Sequence, residues 1–162
     1  MLKQSAGFTL IELVMVILIA GILSTYAVVH WPNDSEIKLP IQAELFVGHV
    51  RHMQALAMQW GEPLRLTVTP GAYSVSCVTA GATPPCNSNP VIDPATAQSF
   101  SITLETGISF SAGSTTDMDS LGRPVAVGNI IATTPARTYT LNAGASSIDV
   151  TLSPLTGFLS IS

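Results

Sequence analysis

The sequence predicts an α+β protein, with a long N-terminal helix packed through its second half on an antiparallel, β-rich C-terminal head. Three observations carry this prediction. An apolar run from Phe8 to Val29 holds one charge, Glu12. From Pro40 to Trp60 the apolar residues recur at helical steps of four and three. After Gly61 the apolar period falls to two, with turn residues between short runs.

The first half of the helix reads as membrane-spanning. Phe8 to Val29 would reach about 33 Å as a helix, enough for a hydrocarbon core about 30 Å thick. Gly21 is tolerated in a membrane helix. The run stops at Trp31-Pro32-Asn33-Asp34, an interfacial aromatic followed by a helix breaker and polar residues. A secretory signal peptide fits less well: its positive head is Lys3 alone, and the small residues Ala6-Gly7 precede the apolar run instead of following it. A plain anchor explains the length but not Glu12. A carboxylate at the bilayer centre costs roughly 2.5–3.5 kcal/mol or more, and is retained where it has a function.

The second half reads as amphipathic. Phe46, Val50, Met53, Ala57 and Trp60 form a stripe, which Leu45 and Leu56 widen. Gly61 stops the helix, and Pro32 and Pro40 are expected to bend or break the path into it. Leu64–Val68 and Tyr73–Cys77 alternate around Pro70-Gly71, a hairpin signal. Residues 80–97 read as a surface loop. Phe100–Leu104, Ile108–Phe110, Val125–Ala132, Thr138–Leu141, Ile148–Leu152 and Phe158–Ile161 read as strands, with Thr115 to Pro124 a solvated polar loop.

Composition narrows the function. The 162 residues leave room for one small head beyond the span. Charged residues are 10% and the net charge is −4, so there is no general electrostatic drive towards nucleic acid. No nucleophile–base constellation or phosphate loop is recognisable, and the chain does not read as an enzyme. His49 and His52 share a helix face, but no third metal ligand is evident. Asp117 and Asp119 lack the spaced acids of a calcium loop. No metal and no cofactor is therefore expected. Cys77 and Cys86 favour a disulfide in an oxidising compartment, with free thiols or a metal as alternatives.

Gly7-Phe8-Thr9-Leu10-Ile11-Glu12 resembles the processing motif of type IV prepilins and type II secretion pseudopilins. The resemblance implies that a prepilin peptidase cuts between Gly7 and Phe8 and methylates the Phe8 amine. It implies that Glu12 stays in the inner membrane until assembly and then compensates the N-terminal amine of a neighbouring pilin or pseudopilin. The head would face the periplasm of a bacterial cell. The organisation is then a leader at 1–7, an assembly helix at 8–30, an amphipathic helix at 31–61 and a β-rich head at 62–162.

Further stretches resemble the GspH/FimT group of minor pseudopilins and minor pilins. They are Gln54-Ala55-Leu56-Ala57 before Gly61, the Leu64-Arg65-Leu66 strand, the Leu121-Gly122-Arg123-Pro124 turn, and Ser153-Pro154-Leu155-Thr156-Gly157 before a last strand. The group's fold is a long helix packed on a β-sandwich or sheet. Its members initiate or cap a type II secretion pseudopilus or a type IV or mannose-sensitive haemagglutinin-type pilus, and FimT-like members bind DNA in natural transformation. That last activity is associated with a Gly-Arg-x-Arg pattern near the C-terminus. Here the stretch is Gly157-Phe158-Leu159-Ser160, with no arginine, so a nucleic-acid partner is not expected.

Overall fold

The structure, a computed structural model, describes residues 9–29, 34–128 and 135–162. The chain forms two compact units, Met1–Asn33 and Asp34–Ser162. The first unit contains helix α1 (Leu10–Val29). Thr9 caps it: the Glu12 N–H points to the Thr9 carbonyl at 3.1 Å and to its hydroxyl at 3.4 Å. Ser24 and Thr25 turn their hydroxyls back onto the carbonyls of Ala20 and Ile22. Residues 10–26 are exposed on every face. Counted over the residues described in full, no helix is long and apolar enough to cross a membrane. The α1 backbone itself runs twenty residues with Glu12 as its only charge, about 30 Å at 1.5 Å per residue.

The second unit is the head. Helix α2 (Asp34–Trp60) lays Leu39, Ala43, Phe46, Val47, Val50, Met53, Leu56 and Ala57 into the core. Two positions correct the sequence reading. Leu45 is half exposed, and Val47 widens the stripe on its other flank. Pro40 does not break the helix. Its ring forfeits one backbone bond near the helix start, but Leu39 and Ala43 anchor that turn in the core and the Lys38–Asp34 ion pair (2.8 Å) spans it.

Eleven strands follow among the described residues: β1 (Leu64–Thr69), β2 (Ala72–Cys77), β3 (Ile92–Asp93), β4 (Gln98–Ser99), β5 (Ser101–Thr103), β6 (Ile108–Ala112), β7 (Thr116–Met118), β8 (Pro124–Val125), β9 (Arg137–Ala143), β10 (Ser146–Leu152) and β11 (Leu159–Ile161). They make a five-stranded sheet in the order β5-β2-β1-β7-β8, a four-stranded sheet in the order β11-β10-β9-β6, and the small pair β3-β4. All neighbouring strands in these sheets run antiparallel. The fold is thus α+β and pilin-like in arrangement. The expected 64–77 hairpin forms as read, with Leu64 opposite Cys77. Alternation explains it: Leu64, Leu66, Tyr73 and Val75 face the core.

The stretch from Thr115 to Pro124 corrects another expectation. It is not a solvated loop, because Thr116–Met118 form β7, buried and paired to β1. Polar residues are tolerated there because each finds a partner: Thr116 accepts from Tyr139 at 2.6 Å and Asp117 accepts from Arg65 at 2.7 Å. The strand expected over Val125–Ala132 is reduced to Pro124–Val125, and residues 129–132 lie outside those described.

Both sheets meet α2 around one ring. Phe46 packs edge-to-face on Tyr73 of β2 (5.0 Å between centroids), Phe110 of β6 (5.1 Å) and Tyr139 of β9 (5.2 Å). Phe46→Ala should lower the stability of the head by about 3–5 kcal/mol, as large-to-small core changes of this size do. Leu45→Ala, one residue away on the exposed side, should change it by less than about 0.5 kcal/mol. Denaturant unfolding of residues 34–162 measures both.

Candidate functional site

The N-terminal site is built on the first turn of α1. Leu10, Ile11 and Glu12 are its first three residues, so the Glu12 carboxylate sits where unpaired N–H groups and the helix dipole favour negative charge. Threonine followed three residues later by glutamate is also the pattern of a capping box, and the Glu12 N–H to Thr9 contact supplies half of one. Among the described residues the Glu12 carboxylate itself has no ion-pair or hydrogen-bond partner. Gly7 and Phe8, where cleavage and methylation are expected, lie outside the described residues.

In the head, Cys77 and Cys86 are joined in a disulfide with their Cα atoms 5.5 Å apart. It ties the end of β2 to the proline-rich loop that follows. The metal alternative for these residues thereby falls away, since a disulfide leaves no thiolate to ligate.

The two helix histidines do not converge on a shared ligand. His49 Nδ1 lies 2.6 Å from the Tyr73 hydroxyl and His52 Nε2 lies 2.9 Å from Asp93. Among the described residues no group of three His, Cys, Asp or Glu is placed to hold a metal. Burial lowers the pKa of His49, the nearby His52 lowers it further, and Asp93 opposes in part. Burial also raises the Tyr73 pKa, so its hydroxyl stays a donor. Asp93 is pushed up by burial, but bonds from His52, the Ala95 N–H and Thr96 prevail and hold it below the usual carboxylate range.

Asp117 and Asp119 are not free to bind a cation. The guanidinium of Arg65 grips Asp117 through two bonds of 2.7 and 2.9 Å, and the Gly128 N–H adds a third at 2.9 Å. Asp119 accepts from the N–H groups of Leu121 and Arg123 and from the Arg123 side chain. Burial raises the Asp119 pKa, but these bonds outweigh it and hold the carboxyl low. A cavity of about 360 Å³ opens beside them, lined also by Pro63, Val78 and Val125. Its two carboxylates are already neutralised by these arginines.

Three stretches that carried the subgroup resemblance meet at Gln54. Its side-chain amide donates to the Gly122 carbonyl (3.2 Å) and to the Gly157 carbonyl (2.8 Å), locking two turns onto α2. Gly157 has φ +67°, and a Cβ there would collide with the Gln54 amide and lie 2.9 Å from the Gly122 carbonyl oxygen. Glycine is required on both counts. All three stretches stand out in the sequence, but their contact does not, and neither does the Arg65–Asp117 pair. The alternation of Thr116, Asp117, Met118 and Asp119 was the available signal, but acidic residues at two of those positions read as loop.

Residues 2–28 match the family model described as a prokaryotic N-terminal methylation motif. No curated protein and no solved structure matches the chain. The motif supports a type IV pilin-like protein, a subunit of pili or pseudopili. It implies processing by prepilin peptidase and assembly with other pilins, and it suggests a membrane-anchored, structural protein.

The His49 environment predicts a pH response. A histidine whose pKa is lowered in the fold binds fewer protons than its unfolded counterpart, so its contribution is complete above the ordinary value of about 6.5 and is lost as pH falls below it. The depressed Asp93 and Asp119 add a second loss at lower pH, below the ordinary carboxylate value of about 3.9. His49→Gln should remove the first loss and leave the second, as read by melting the head across pH 7 to 3.

Proposed function

We propose that this chain is a minor pilin or pseudopilin of the GspH/FimT kind, which initiates or caps a type II secretion pseudopilus or a type IV pilus-like filament. The observation that carries the reading is Glu12 in the capped first turn of an apolar helix, inside the matched methylation motif. In this reading the peptidase cuts between Gly7 and Phe8, and Phe8 is methylated. Helix α1 spans the inner membrane once, with the head in the periplasm, where Cys77–Cys86 stays oxidised. Ser24 and Thr25 suit that setting, because their hydroxyls are satisfied within the helix.

The Glu12 carboxylate has no partner among the described residues, which supports the assembly role. A charge near hydrocarbon needs a counter-charge, and the N-terminal amine of a neighbouring subunit supplies one. The reading of the head as a structural, non-enzymatic module rests on its ionisable groups, most of which are engaged in holding the fold. DNA binding of the FimT-like kind is not favoured. Lys38, Arg65 and Arg123 each pair with carboxylates, which leaves little basic surface for phosphates.

Glu12→Ala tests the proposal. The variant should still fractionate with membranes, and its recovery with co-expressed partner pilins should fall at least about tenfold, the scale of losing one partly desolvated ion pair of roughly 1.4 kcal/mol or more. Recovery and filament number equal to those of the unaltered chain would remove the assembly role.

A further inference from the structure

The core stripe of α2 has a counterpart on the solvent side. Ile37, Ile41, Ala55 and Met58, with Glu44, Gly48 and Arg51 between them, recur at alternating steps of four and three, the spacing of a seam between helices. The buried series from Leu39 to Ala57 keeps the same spacing two residues on, about 200° round the helix at 3.6 residues per turn. The outer seam is open. Ile37, Ile41 and Met58 are each more than half exposed, and Leu45 beside them is nearly so.

The three central residues of this seam have no role within the head. Glu44 and Arg51 are exposed and meet no ion-pair or hydrogen-bond partner among the described residues. They stand two turns apart, about 10.5 Å at 1.5 Å per residue, too far to pair with each other. Gly48 weakens the interior of a helix, yet a Cβ added to it would meet nothing within 4 Å. The head itself therefore has no need of glycine at this position, whereas the close approach of a second backbone does.

We propose that the solvent face of α2 docks a second copy of this chain, helix to helix and antiparallel, about a two-fold axis at Gly48. Charge complementarity selects this occupant. Glu44 lies about 6 Å before Gly48 and Arg51 about 4.5 Å after it, and seven residues are nearly two whole turns, so the two share a flank. Reversing one helix brings Glu44 of each copy alongside Arg51 of the other and closes two ion pairs. The same step sets Ile41 against Ala55 and Ile37 against Met58, with the two Gly48 residues at the crossing. A parallel pairing puts Glu44 level with Glu44 and Arg51 level with Arg51, and supplies no counter-charge. An apolar helix such as α1, whose only charge is Glu12, would leave Glu44 unpaired. The arrangement is isologous and stops at two copies. It is a property of the head and does not depend on the filament reading.

Residues 34–162 form a compact unit and hold every buried core side chain among the described residues, so the head alone is the sample. Equilibrium sedimentation should show its mass rising from one copy towards two with concentration. Gly48→Leu adds apolar surface and would strengthen a non-specific association. It should instead weaken this one at least about tenfold, with a melting temperature unchanged or raised. Glu44→Lys and Arg51→Glu heads should each associate at least about tenfold more weakly than the unaltered head, because each change sets like charges together. Mixed, the two variants should regain association as one copy of each, since every acid then faces a base again. A single-copy mass at every concentration, a Gly48→Leu head that associates as well as the unaltered one, or a mixture no better than its components would each overturn the proposal. Association of the full chain in detergent, with the head alone a single copy, would give the face to a neighbour's α1 and overturn it too.

Discussion

The head depends on one aromatic contact set. Phe46 sits fully buried on α2 and touches rings from β2, β6 and β9, which belong to two different sheets. Edge-to-face packing orients each ring as well as burying it. Tyr139 then passes the constraint on, because its hydroxyl donates to Thr116 and fixes β7 beside β1. Arg65 and Asp117 bridge the same pair of strands from their polar side. A helix residue thus sets the placement of strands far apart in sequence.

The N-terminal unit obeys the opposite logic. Its helix buries nothing among residues 10–26, and a helix apolar all round is stable only where something apolar surrounds it. The head offers a contrast in composition, with its buried charges paired and its turns tied down by Gln54. The proposed role uses both properties: in it one part trades lipid for other helices, and the other stays folded throughout that exchange.

Much of this was legible in the sequence, for physical reasons that differ by element. The 64–77 hairpin was readable because alternation and a Pro-Gly turn agree. The core stripe of α2 was readable from its period, except at Leu45, where apolar character alone could not distinguish the flank facing the sheet from the flank facing out. Pro40 misled because local propensity was overruled by the burial of its neighbours. β7 was missed because its acid, Asp117, is satisfied by Arg65, a partner that no local window contains. The convergence of Gln54, Gly122 and Gly157 was invisible for the same reason: spacing along the chain says nothing about which turns close on each other. At the N-terminus the reverse held. Gly7, Phe8 and Glu12 are legible only as a motif, and the roles proposed for them call on an enzyme and on neighbours outside the chain.

The central claim is that this chain is processed and assembled as a pilin-like subunit. The intact mass of the protein, purified from the membranes of a bacterium that carries a prepilin peptidase, tests it most directly. The account predicts a chain that begins at Phe8, carries one added methyl group on its N-terminal amine and retains the Cys77–Cys86 bond. A chain that keeps residues 1–7, or one cut after the apolar run near Trp31, would contradict it.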